Sequence, residues 1–459
     1  MRKAPIKLNG GRASRAGGAY DVPDGSRFRS TTAGGIHISV QETAPRAPGD
    51  AQHVVTHPDA APSGPLRTVL AGCSFAGLEF LYRTARRRGR FAPGAMTVID
   101  PRPAHSYIPL VHEAASGVRP IDALRFDAPA FCRALGADWI TGSMATLDRA
   151  HREVGLAGGR TVPYDRLVIA VGSVPDIPDV FARSPAVTAP KFVDDAAALR
   201  RRLHVLRVSG ASVLRVVVVG GGITGVEWSA ELASGRVDGA RLATTLVGDG
   251  PRVLPEFRLG VSRRIARTLS SLGVELLLGR RAVGLSRDHV LLDGGTAVPC
   301  DVVVWAGGVR PHPVAATLGL PVTGTGHLIV NPRLEVDGDA SIHALGDCAR
   351  IVDGGREWPT TMRAIEAIWQ GAALARLLDA EPGQQPRPHR LHRDFFYGIS
   401  LGQDRAAIVR GSHCLDGAPM VAGRRVLQWG YYRRLRRLAQ KLTRSVPAVR
   451  VAATGDSRS

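Results

Sequence analysis

Two glycine-rich segments carry the clearest chemical signal in the sequence. In the second of them, Gly220, Gly222 and Gly225 directly follow the apolar run 214–219, and a helical pattern and a further apolar run at 243–247 come after them. Glycines at this spacing allow a tight turn, a close approach of the backbone to a ligand and close packing of the helix on the strand. The free N–H groups at the start of the helix then face an anion such as a pyrophosphate. The segment predicts a βαβ unit that binds a dinucleotide.

A matching unit lies about 148 residues earlier. The apolar run 67–71 leads into Gly72, and Gly77 completes the motif, but Ser74 stands at the position of the middle glycine. Serine is the smallest polar replacement, and its hydroxyl can itself meet a phosphate. Asp100 follows Gly77 by 23 residues, at the end of the next apolar run, where a carboxylate can bind the hydroxyls of an adenosine ribose. Two such units in one chain indicate an α/β protein with two Rossmann-like dinucleotide-binding domains.

The second unit does not by itself decide between NADH and NADPH. Gly248 occupies the position that corresponds to Asp100, with Asp249 beside it. A carboxylate at that position would repel a 2′-phosphate, and its displacement by one residue leaves the choice open. Arg252 is near enough in sequence to favour a 2′-phosphate, but it could equally be a solvated cation of a loop.

Length and composition limit the classes of protein that fit. The chain has 459 residues, 44% of them hydrophobic, and its 60 Lys and Arg against 40 Asp and Glu give a net charge of +20. At about 150 residues per domain, two or three domains are expected. No apolar run could span a membrane, no signal-peptide pattern opens the chain, and residues 1–65, rich in Gly, Ala, Pro, Ser and Arg, are expected to form a disordered basic tail. The five cysteines lie far apart in sequence, which excludes a local zinc cluster or adjacent dithiol, and no metal is expected.

Four further segments resemble motifs of a known family. They are residues 108–117, 164–172, 303–310 and 342–349. Together with the glycine motifs, they make residues 66 to about 385 similar to the type II NADH:quinone oxidoreductases, single-chain flavoproteins with two dinucleotide-binding domains. The resemblance implies an FAD-binding domain at 66–190 and 309–385, interrupted by an NAD(P)H-binding domain at 191–308, and a C-terminal region at 386–459 that faces the membrane or a second subunit.

The resemblance also implies roles for individual residues. Asp347 is implied to bind the ribityl–phosphate part of FAD, although an aspartate at a helix start is also typical of an N-cap. Glu227 is implied to lie where the nicotinamide meets the flavin, as the catalytic residue that orients the nicotinamide or relays a proton; the alternative is a helix-start carboxylate stabilised by the dipole. The other FAD candidates are Gly72, Ser74, Phe75, Ala76, Gly77, Asp100, Pro109, Leu110, Gly172 and Gly346, and the NAD(P)H candidates are Gly220, Gly222, Gly225, Asp249 and Gly307.

The segment implied to bind quinone departs from the family pattern. Residues 364–371 correspond to the family's Ala-Gln-x-Ala-x-Gln-Gln-Gly helix, with Ile365 and Trp369 in place of two glutamines and Gln370 retained. His112 stands where the family has a tyrosine. These four residues are the candidates for binding quinone, and the departures favour a different quinone or a different electron acceptor. Trp369 could flank a ring-shaped acceptor or belong to the core.

The positive charge is concentrated at the C-terminus. Residues 424–459 contain ten Arg and Lys against one acid, whereas residues 1–65 contain eight against five. Residues 426–444 predict a basic amphipathic helix, which is typical of a membrane surface; the alternative is a helix that covers the domain's own core. We expect a cytoplasmic protein bound peripherally to anionic lipid on the inner face of the cell membrane, without a nucleic-acid partner, and a homodimer is compatible with the sequence. The apolar side of this helix is predicted to consist of Leu427, Tyr431, Leu435, Leu438 and Leu442.

The leading hypothesis is an FAD-dependent NAD(P)H dehydrogenase that reduces a quinone at the membrane surface. Three alternatives remain open: a soluble reductase of a protein acceptor such as a ferredoxin, a relative of the sulfide:quinone oxidoreductases, and a non-catalytic FAD-binding redox sensor. Sulfide:quinone oxidoreductases use two or three cysteines beside the flavin, and Cys132 and Cys300 do not stand in motifs that match that role.

Overall fold

The computed structural model describes most of the chain between the two ends. Residues 1–63, which make up almost all of the predicted tail, and residues 445–459 lie outside the described part. The described residues are 64–444, apart from 238, 337, 360, 382–383 and 393–394.

The described residues form alternating helices and strands. The helices are α1 Phe75–Arg88, α2 Val111–Ala115, α3 Ala128–Leu135, α4 Asp179–Ala182, α5 Val193–Val208, α6 Ile223–Ser234, α7 Leu259–Ser271, α8 Ala364–Leu377 and α9 Ala418–Arg444. The strands are β1 Thr68–Ala71, β2 Met96–Asp100, β3 Ala104–Ser106, β4 Arg125–Asp127, β5 Asp138–Thr141, β6 Met144–Asp148, β7 Glu153–Leu156, β8 Thr161–Pro163, β9 Arg166–Ile169, β10 Ser173–Pro175, β11 Val187–Thr188, β12 Val213–Val219, β13 Arg236–Val237, β14 Ala240–Gly248, β15 Glu275–Leu278, β16 Ala282–Ser286, β17 His289–Leu292, β18 Ala297–Pro299, β19 Val302–Trp305, β20 Val309–Pro311, β21 Leu328–Val330, β22 Glu335–Val336, β23 Asp339–Ala344, β24 Ala349–Asp353, β25 Arg356–Glu357, β26 Tyr397–Ser400, β27 Ala406–Arg410 and β28 His413–Gly417.

The first predicted βαβ unit is confirmed and lies within a nine-stranded sheet. Its strand order is β25-β24-β21-β22-β23-β9-β1-β2-β5. β1 pairs in parallel with β2 on one side and with β9 on the other, and α1 connects β1 to β2. All residues of β1 are buried, which explains why its sequence is a continuous apolar run and does not alternate. Because β21 to β25 follow the second domain in the chain, the first domain is built from two separated segments.

The second βαβ unit is also confirmed, in a sheet of its own. β12 pairs in parallel with β14 and with β19, and β15 pairs with β14. The strands of this sheet run in the order β11-β19-β12-β14-β13, and α6 connects β12 to β14 through β13. The two Rossmann-like domains predicted from the glycine motifs, and the insertion of the second in the first that the resemblance implied, are therefore observed.

Two antiparallel strands mark the connections between the domains. β10 and β20 pair where the chain leaves the first domain and returns to it. β11 pairs with β19 in the second sheet, so residues 187–188, which the expected boundary at residue 190 places in the first domain, join the second sheet. A strand of two residues is too short to show a periodicity in the sequence. Tertiary contacts therefore decide which sheet it joins.

The C-terminal region contacts both domains in turn. β26, β27 and β28 form an antiparallel sheet whose Ile399, Ala407 and Val409 pack with Val226 and Leu246 in the core of the second domain. α9 then crosses to the first domain, where it packs against α3 and α1. The helix begins eight residues before the predicted start at residue 426, with a proline in its first turn, where proline is tolerated.

The face that α9 buries differs from the predicted one. Tyr431 and Leu435 are buried as expected, and Leu438 and Leu442 pack against the first core, but Leu427 is 69% exposed. The buried face of α9 continues toward the N-terminus of the helix through polar residues. A search for apolar spacing does not detect these residues. The remaining members of this face are Tyr432, Gln428 and Arg424.

Arg434, one of the cations of the basic helix α9, serves the protein's own packing. Arg434 donates hydrogen bonds to the fully buried carboxylate of Glu79 on α1, which also accepts one from Arg83 at 2.7 Å. The Arg434 guanidinium lies over the rings of Tyr82 and Tyr431, 4.8 and 4.7 Å from their centroids. α9 therefore covers the core of the first domain, which was the alternative to membrane contact for its apolar face. No described helix has both the length and the hydropathy that crossing a membrane requires.

Candidate functional site

The outer glycines of both motifs are required by the packing of the protein itself. Gly72 has a φ of +104°, and a Cβ there would lie 2.2 Å from the carbonyl oxygen of Ala170. A Cβ on Gly77 would lie 2.1 Å from the carbonyl oxygen of Gly72. In the second motif, Gly220 has a φ of +127°, and a Cβ on Gly225 would lie 1.8 Å from the carbonyl oxygen of Gly220. Only glycine fits these four positions, because a carbon and a backbone oxygen cannot approach so closely.

The middle position of each motif is different, because it faces open space. A Cβ on Gly222, the N-cap of α6, would meet no atom within 4 Å. Ser74, the N-cap of α1, makes no side-chain capping hydrogen bond and lines a cavity. Both helix N-termini can therefore offer N–H groups to an anion, and the serine does not disturb the first turn. These turns fit the phosphates of two dinucleotides.

Asp100 orders the first turn. Its Oδ2 accepts a hydrogen bond from the Cys73 backbone N–H at 2.7 Å, and its Oδ1 accepts one from the Arg102 backbone N–H at 2.9 Å. The side chain is buried at the end of β2. Since each carboxylate oxygen can accept a second hydrogen bond, the predicted contact with a ribose hydroxyl remains compatible with this geometry.

The second unit offers an exposed acid beside the corresponding place, and Arg252 is engaged by its own loop. Gly248 is buried at the end of β14, and Asp249, which follows it, is exposed. Arg252 donates to the carbonyl oxygens of Phe257 and Pro255, at 2.8 and 2.6 Å. Its guanidinium is thus held by its own loop, which agrees with the interpretation of Arg252 as a loop cation.

A cavity of about 520 Å³ brings candidates from both domains together. Its walls come from the first turns of α1 and α6, the segments after β9 and β19, and the C-terminal region. The predicted residues that line it are Ser74, Phe75, Ala76, Pro109, His112, Gly172, Glu227, Gly346, Asp347 and Ile365. Those in the described chain that stand outside its lining are Gly72, Gly77, Asp100, Leu110, Gly220, Gly222, Gly225, Asp249, Gly307, Trp369 and Gln370.

Asp347 belongs to a polar network at the cavity wall. Ser173 Oγ donates to Asp347 Oδ2 at 2.5 Å, and Lys191 Nζ donates to Ser173 Oγ at 2.6 Å while lying 4.0 Å from the carboxylate. Burial lowers the pKa of Lys191, and the charge of Asp347 opposes that shift. Gln370 Oε1 accepts the Gly346 N–H at 2.7 Å. Gln370 therefore lies behind the turn that carries Asp347 and supports it. The sequence had instead predicted contact of Gln370 with a quinone.

Glu227 is buried and paired with a residue that the sequence did not single out. Its Oε1 accepts hydrogen bonds from the Ser400 backbone N–H at 2.9 Å and from Arg424 Nη2 at 2.8 Å. Arg424 also donates to the Pro109 carbonyl oxygen at 2.8 Å. Burial raises the pKa of Glu227, and the positive charge of Arg424 opposes this. A single arginine in a basic segment gives no sign of burial. Arg424 and Gln428 nevertheless stand at helical spacing from Tyr431, and this spacing was the sequence signal that could have indicated their burial.

His112 forms part of the wall as a neutral imidazole. Burial and, secondarily, the charge of Arg424 hold its pKa well below the usual value. Its ring lies edge-on to Trp228, with centroids 6.3 Å apart. Among the described residues, its Nε2 has no hydrogen-bond partner. A neutral imidazole at a cavity wall can donate to, or accept from, an oxygen of a bound molecule.

An aromatic wall formed by Phe395, Phe396 and Tyr397 was missed in the sequence, although three consecutive aromatic residues were visible there. The ring centroids of Phe395 and Tyr397 are 4.5 Å apart. Trp369 packs edge-on against Phe395 at 5.1 Å, so it supports this wall from behind and does not itself flank the cavity. Aromatic rings at a cavity mouth suit a planar ligand.

Two other candidates lie away from the cavity, and the cysteines do as well. Leu110 is buried in the core of the second domain, and a Cβ on Gly307 would lie 2.8 Å from the ring of Trp305.

None of the five cysteines, all within the described chain, lines the cavity. Burial raises the pKa of Cys348 to about 11, and a hydrogen bond with Cys132 raises that of Cys73. These protonated thiols are poor nucleophiles.

The protein-family model described as "Pyridine nucleotide-disulphide oxidoreductase" matches residues 66–371 of the chain. The chain belongs to this family. Its members use FAD and NAD(P)H, so these are the cofactors that the two motif turns accept.

Individual relatives within the oxidoreductase family differ in the acceptors that their names give. The type II NADH:quinone oxidoreductase of Haemophilus influenzae is 27% identical over 353 residues, 66% of this chain and 78% of that protein. Putidaredoxin reductase of Pseudomonas putida is 28% identical over 369 residues, 75% of this chain and 82% of that protein. The structure of NDH2 from Plasmodium falciparum in complex with NADH has the same fold, with a TM-score of 0.71 at 16% identity, over 83% of this chain and 98% of that one.

The glycine geometry predicts opposite phenotypes for two neighbouring substitutions. Gly225→Ala forces a Cβ against a backbone carbonyl and is expected to destabilise the protein by about 3 kcal/mol or more. Gly222→Ala enters open space and is expected to cost less than about 1 kcal/mol, yet to weaken NAD(P)H binding because the Cβ fills the phosphate cradle. Thermal denaturation and NAD(P)H titration separate the two effects. Equal losses of stability would contradict the assignment.

The ion pair between α9 and the second domain predicts a large effect of Arg424→Met. The substitution leaves the Glu227 carboxylate buried without its charged partner, so the free energy of unfolding is expected to fall by about 3 kcal/mol. Arg433→Met, on the exposed side of the same helix, is the matched control and is expected to change it by less than about 0.5 kcal/mol. Urea denaturation measures both. Adding Glu227→Gln to Arg424→Met should restore part of the loss; no restoration would show that the pair is not the cause.

Proposed function

We propose that this oxidoreductase passes a hydride from NAD(P)H to FAD and then passes electrons to a quinone. The observation that carries the proposal is the single cavity in which both dinucleotide-binding turns meet an apolar and aromatic wall. A bound FAD supplies the chemistry, because it accepts a hydride from the nicotinamide and gives up two electrons to a second substrate. The protein has to bind, align and shield the two reactants.

Particular residues would perform these tasks. Ser74 and the N-terminus of α1 would hold the FAD phosphates, and Asp347, fixed by Ser173 and Lys191, would accept hydrogen bonds from its ribityl chain. The N-terminus of α6 would hold the phosphates of NAD(P)H. Glu227 lies one turn into that helix and lines the cavity, which supports a place beside the nicotinamide. The exposed Asp249 and the engaged Arg252 favour NADH over NADPH.

The wall of the cavity supports a quinone as the second substrate. Ile365, Met362 and Phe395 supply apolar surface for a ring, and His112 supplies a neutral hydrogen-bonding group for a quinone oxygen. Since no described cysteine lines the cavity, a disulfide or sulfide substrate that requires a thiol has no reactant there. The relative from Haemophilus influenzae, named as a quinone oxidoreductase, adds support.

A protein acceptor is the second candidate, and the mouth of the cavity favours it. Phe396 is 64% exposed there, and the guanidinium of Arg410 lies 5.0 Å from the centroid of its ring. An exposed aromatic beside a cation suits contact with an acidic electron-carrier protein. The similarity to putidaredoxin reductase gives this alternative its second support.

Anaerobic reduction of the flavin followed by a panel of acceptors tests the proposal. NADH is expected to bleach the flavin faster than NADPH, and a soluble quinone to reoxidise it faster than a ferredoxin does. Phe395→Ala should raise the KM for quinone by about tenfold through lost ring contact, without slowing flavin reduction. Val205→Ala, an exposed apolar residue on α5 outside the cavity lining, is the control. Reoxidation by ferredoxin alone would favour the second candidate, and no bleaching by either nucleotide would refute both.

We also propose peripheral contact with an anionic membrane, through an exposed apolar set that shares only Leu427 with the apolar side expected from the sequence. Val426, Leu427 and Trp429 are exposed next to one another on α9, and the guanidinium of Arg433 lies 4.5 Å from the Trp429 ring centroid. Exposed apolar side chains that alternate with cations suit the interface of a bilayer with anionic headgroups. Each cation there contributes about 1 kcal/mol.

Flotation with liposomes tests the membrane contact. The full chain is expected to float with vesicles rich in anionic lipid, and the triple variant Val426→Ser, Leu427→Ser, Trp429→Ser to lose most of that binding because apolar insertion is removed. The matched control is Val205→Ser with Val208→Ser, two exposed apolar residues on α5. Equal flotation of all three proteins, or binding indifferent to anionic lipid, would contradict the proposal.

A further inference from the structure

A buried polar cluster lies behind the cavity, where α2, α6 and α9 meet. Glu113 on α2 and Glu227 and Glu231 on α6 are 4%, 9% and 0% exposed. α9 contributes Arg424, which is bonded to Glu227, and Arg425, whose Nε lies 3.5 Å from Glu113 Oε2. Three buried carboxylates beside one cavity are unusual, because burying a charge is costly unless it is paired or protonated.

Several polar atoms of this cluster lack a hydrogen bond within the described chain. Glu231 Oε1 accepts a hydrogen bond from Ser116 Oγ at 2.5 Å, but Glu231 Oε2 has no partner among the described residues. The same is true of Glu113 Oε2 and of Nε2 of His112, a residue that lines the cavity. Buried polar atoms almost always bond to protein or to water, and water is the partner that fits where protein supplies none. The cluster is therefore suited to hold water between carboxylates.

The cluster connects the cavity to the protein surface. At its inner end, Glu227 lines the cavity, and Glu231 lies one helical turn further along the same face of α6. Glu113 acts electrostatically on both of these carboxylates. At its outer end, Ser116 is half-buried, and the side chain of Arg425 is 37% exposed. Protons could enter at Ser116 and reach the cavity through three carboxylates.

Glu231 is the member of the cluster suited to carry a proton at neutral pH. Burial raises the pKa of Glu231 to about 7; the charge of Glu113 acts in the same direction, while the hydrogen bond from Ser116 and the charges of Arg424 and Arg425 oppose it. A carboxyl group that titrates near the working pH can both give and regain a proton.

The proposed reduction of quinone requires a supply of protons from solvent. NAD(P)H delivers a hydride, which is two electrons and one proton, whereas reduction of a quinone to a quinol takes up two electrons and two protons. One proton per turnover must therefore come from solution. Transfer of the two electrons to two one-electron carriers would instead release one proton. The direction of net proton flow thus differs between the two candidate acceptors.

We propose that Ser116, Glu231 and Glu113 form a proton relay that delivers this proton from solvent to Glu227 and the cavity. This inference rests on the proposed quinone reduction. In each turnover the Glu231 carboxyl gives its proton inward to the quinol oxygen by way of Glu227, and it regains one from solvent beside Ser116. Atoms and charge balance with the one proton consumed. Glu231 does not touch the cavity and so acts as a relay residue.

Rapid-mixing experiments at pH values on both sides of 7 test the relay in the FAD-loaded protein. Glu231→Gln is expected to leave flavin reduction by NADH unchanged, since hydride transfer needs no proton from solvent. It is expected to slow reoxidation by a soluble quinone by about tenfold and to remove the decline in that rate above pH 7. Glu231→Asp should restore part of the rate. Glu357→Gln, an exposed glutamate on β25, is the control.

The outcomes separate the relay from the function on which it rests. If the wild-type protein reduces no quinone, the proposed function fails and the relay fails with it. If quinone is reduced but Glu231→Gln keeps the wild-type rate and pH profile, the relay alone is overturned. Uptake of one proton per NADH, measured in weak buffer, supports both, and release of one proton contradicts both.

Protein stability supplies a test that does not depend on activity. Because the folded-state pKa of Glu231, about 7, lies above the ordinary value of 4.5, the folded protein binds the proton more tightly than the unfolded chain. The stabilising contribution of the protonated group is complete below the ordinary pKa and is lost as pH rises through 7. The Tm of Glu231→Gln relative to wild type should therefore increase across this interval. A difference in Tm that does not change with pH would overturn the relay.

Discussion

The buried guanidinium of Arg424 is the interaction on which the arrangement of the site depends. It bonds the Glu227 carboxylate on α6 of the second domain and the carbonyl oxygen of Pro109 in the first domain, and it belongs to α9. Three separate parts of the chain are thereby tied together at the edge of the cavity. An arginine suits this position because its planar fork offers several donors and its charge persists when it is buried. The C-terminal region is thus part of the site as well as a cover for the two domains.

The C-terminal charge has a different meaning in the folded protein from the one it has in the sequence. Arg434 neutralises the buried Glu79, and Arg424 and Arg425 face Glu227 and Glu113. These cations compensate carboxylates that would otherwise be buried unpaired, and removing one partner of such a pair is costly. The basic composition of α9 therefore reflects internal electrostatics as well as any external surface. Among the cations of the described part of α9, those on the outer face, such as Arg433, are available to an anionic partner.

The fold could be predicted from the sequence because its signals are local. The spacing of Gly220, Gly222 and Gly225 after a continuous apolar strand is dictated by backbone sterics, which act over a few residues. The same holds for Gly72 and Gly77, and a serine is tolerated between them because that position lines the cavity. Motif resemblance then supplied Asp347 and Glu227, both of which line the cavity. Trp369 and Gln370, predicted to bind quinone, lie on α8 outside the lining of the cavity, and periodicity alone does not tell which neighbour a helix face meets.

The sequence by itself determined two dinucleotide-binding units, their order along the chain and the cofactor class, because glycine turns and buried parallel strands leave a readable pattern. Only the tertiary structure decided which residues complete the site. The aromatic wall at 395–397, the pairing of Arg424 with Glu227 and the cluster around Glu231 join segments more than a hundred residues apart. Burial of a polar side chain depends on whether a partner from elsewhere in the chain satisfies it, and this is a property of packing that a local sequence pattern does not contain.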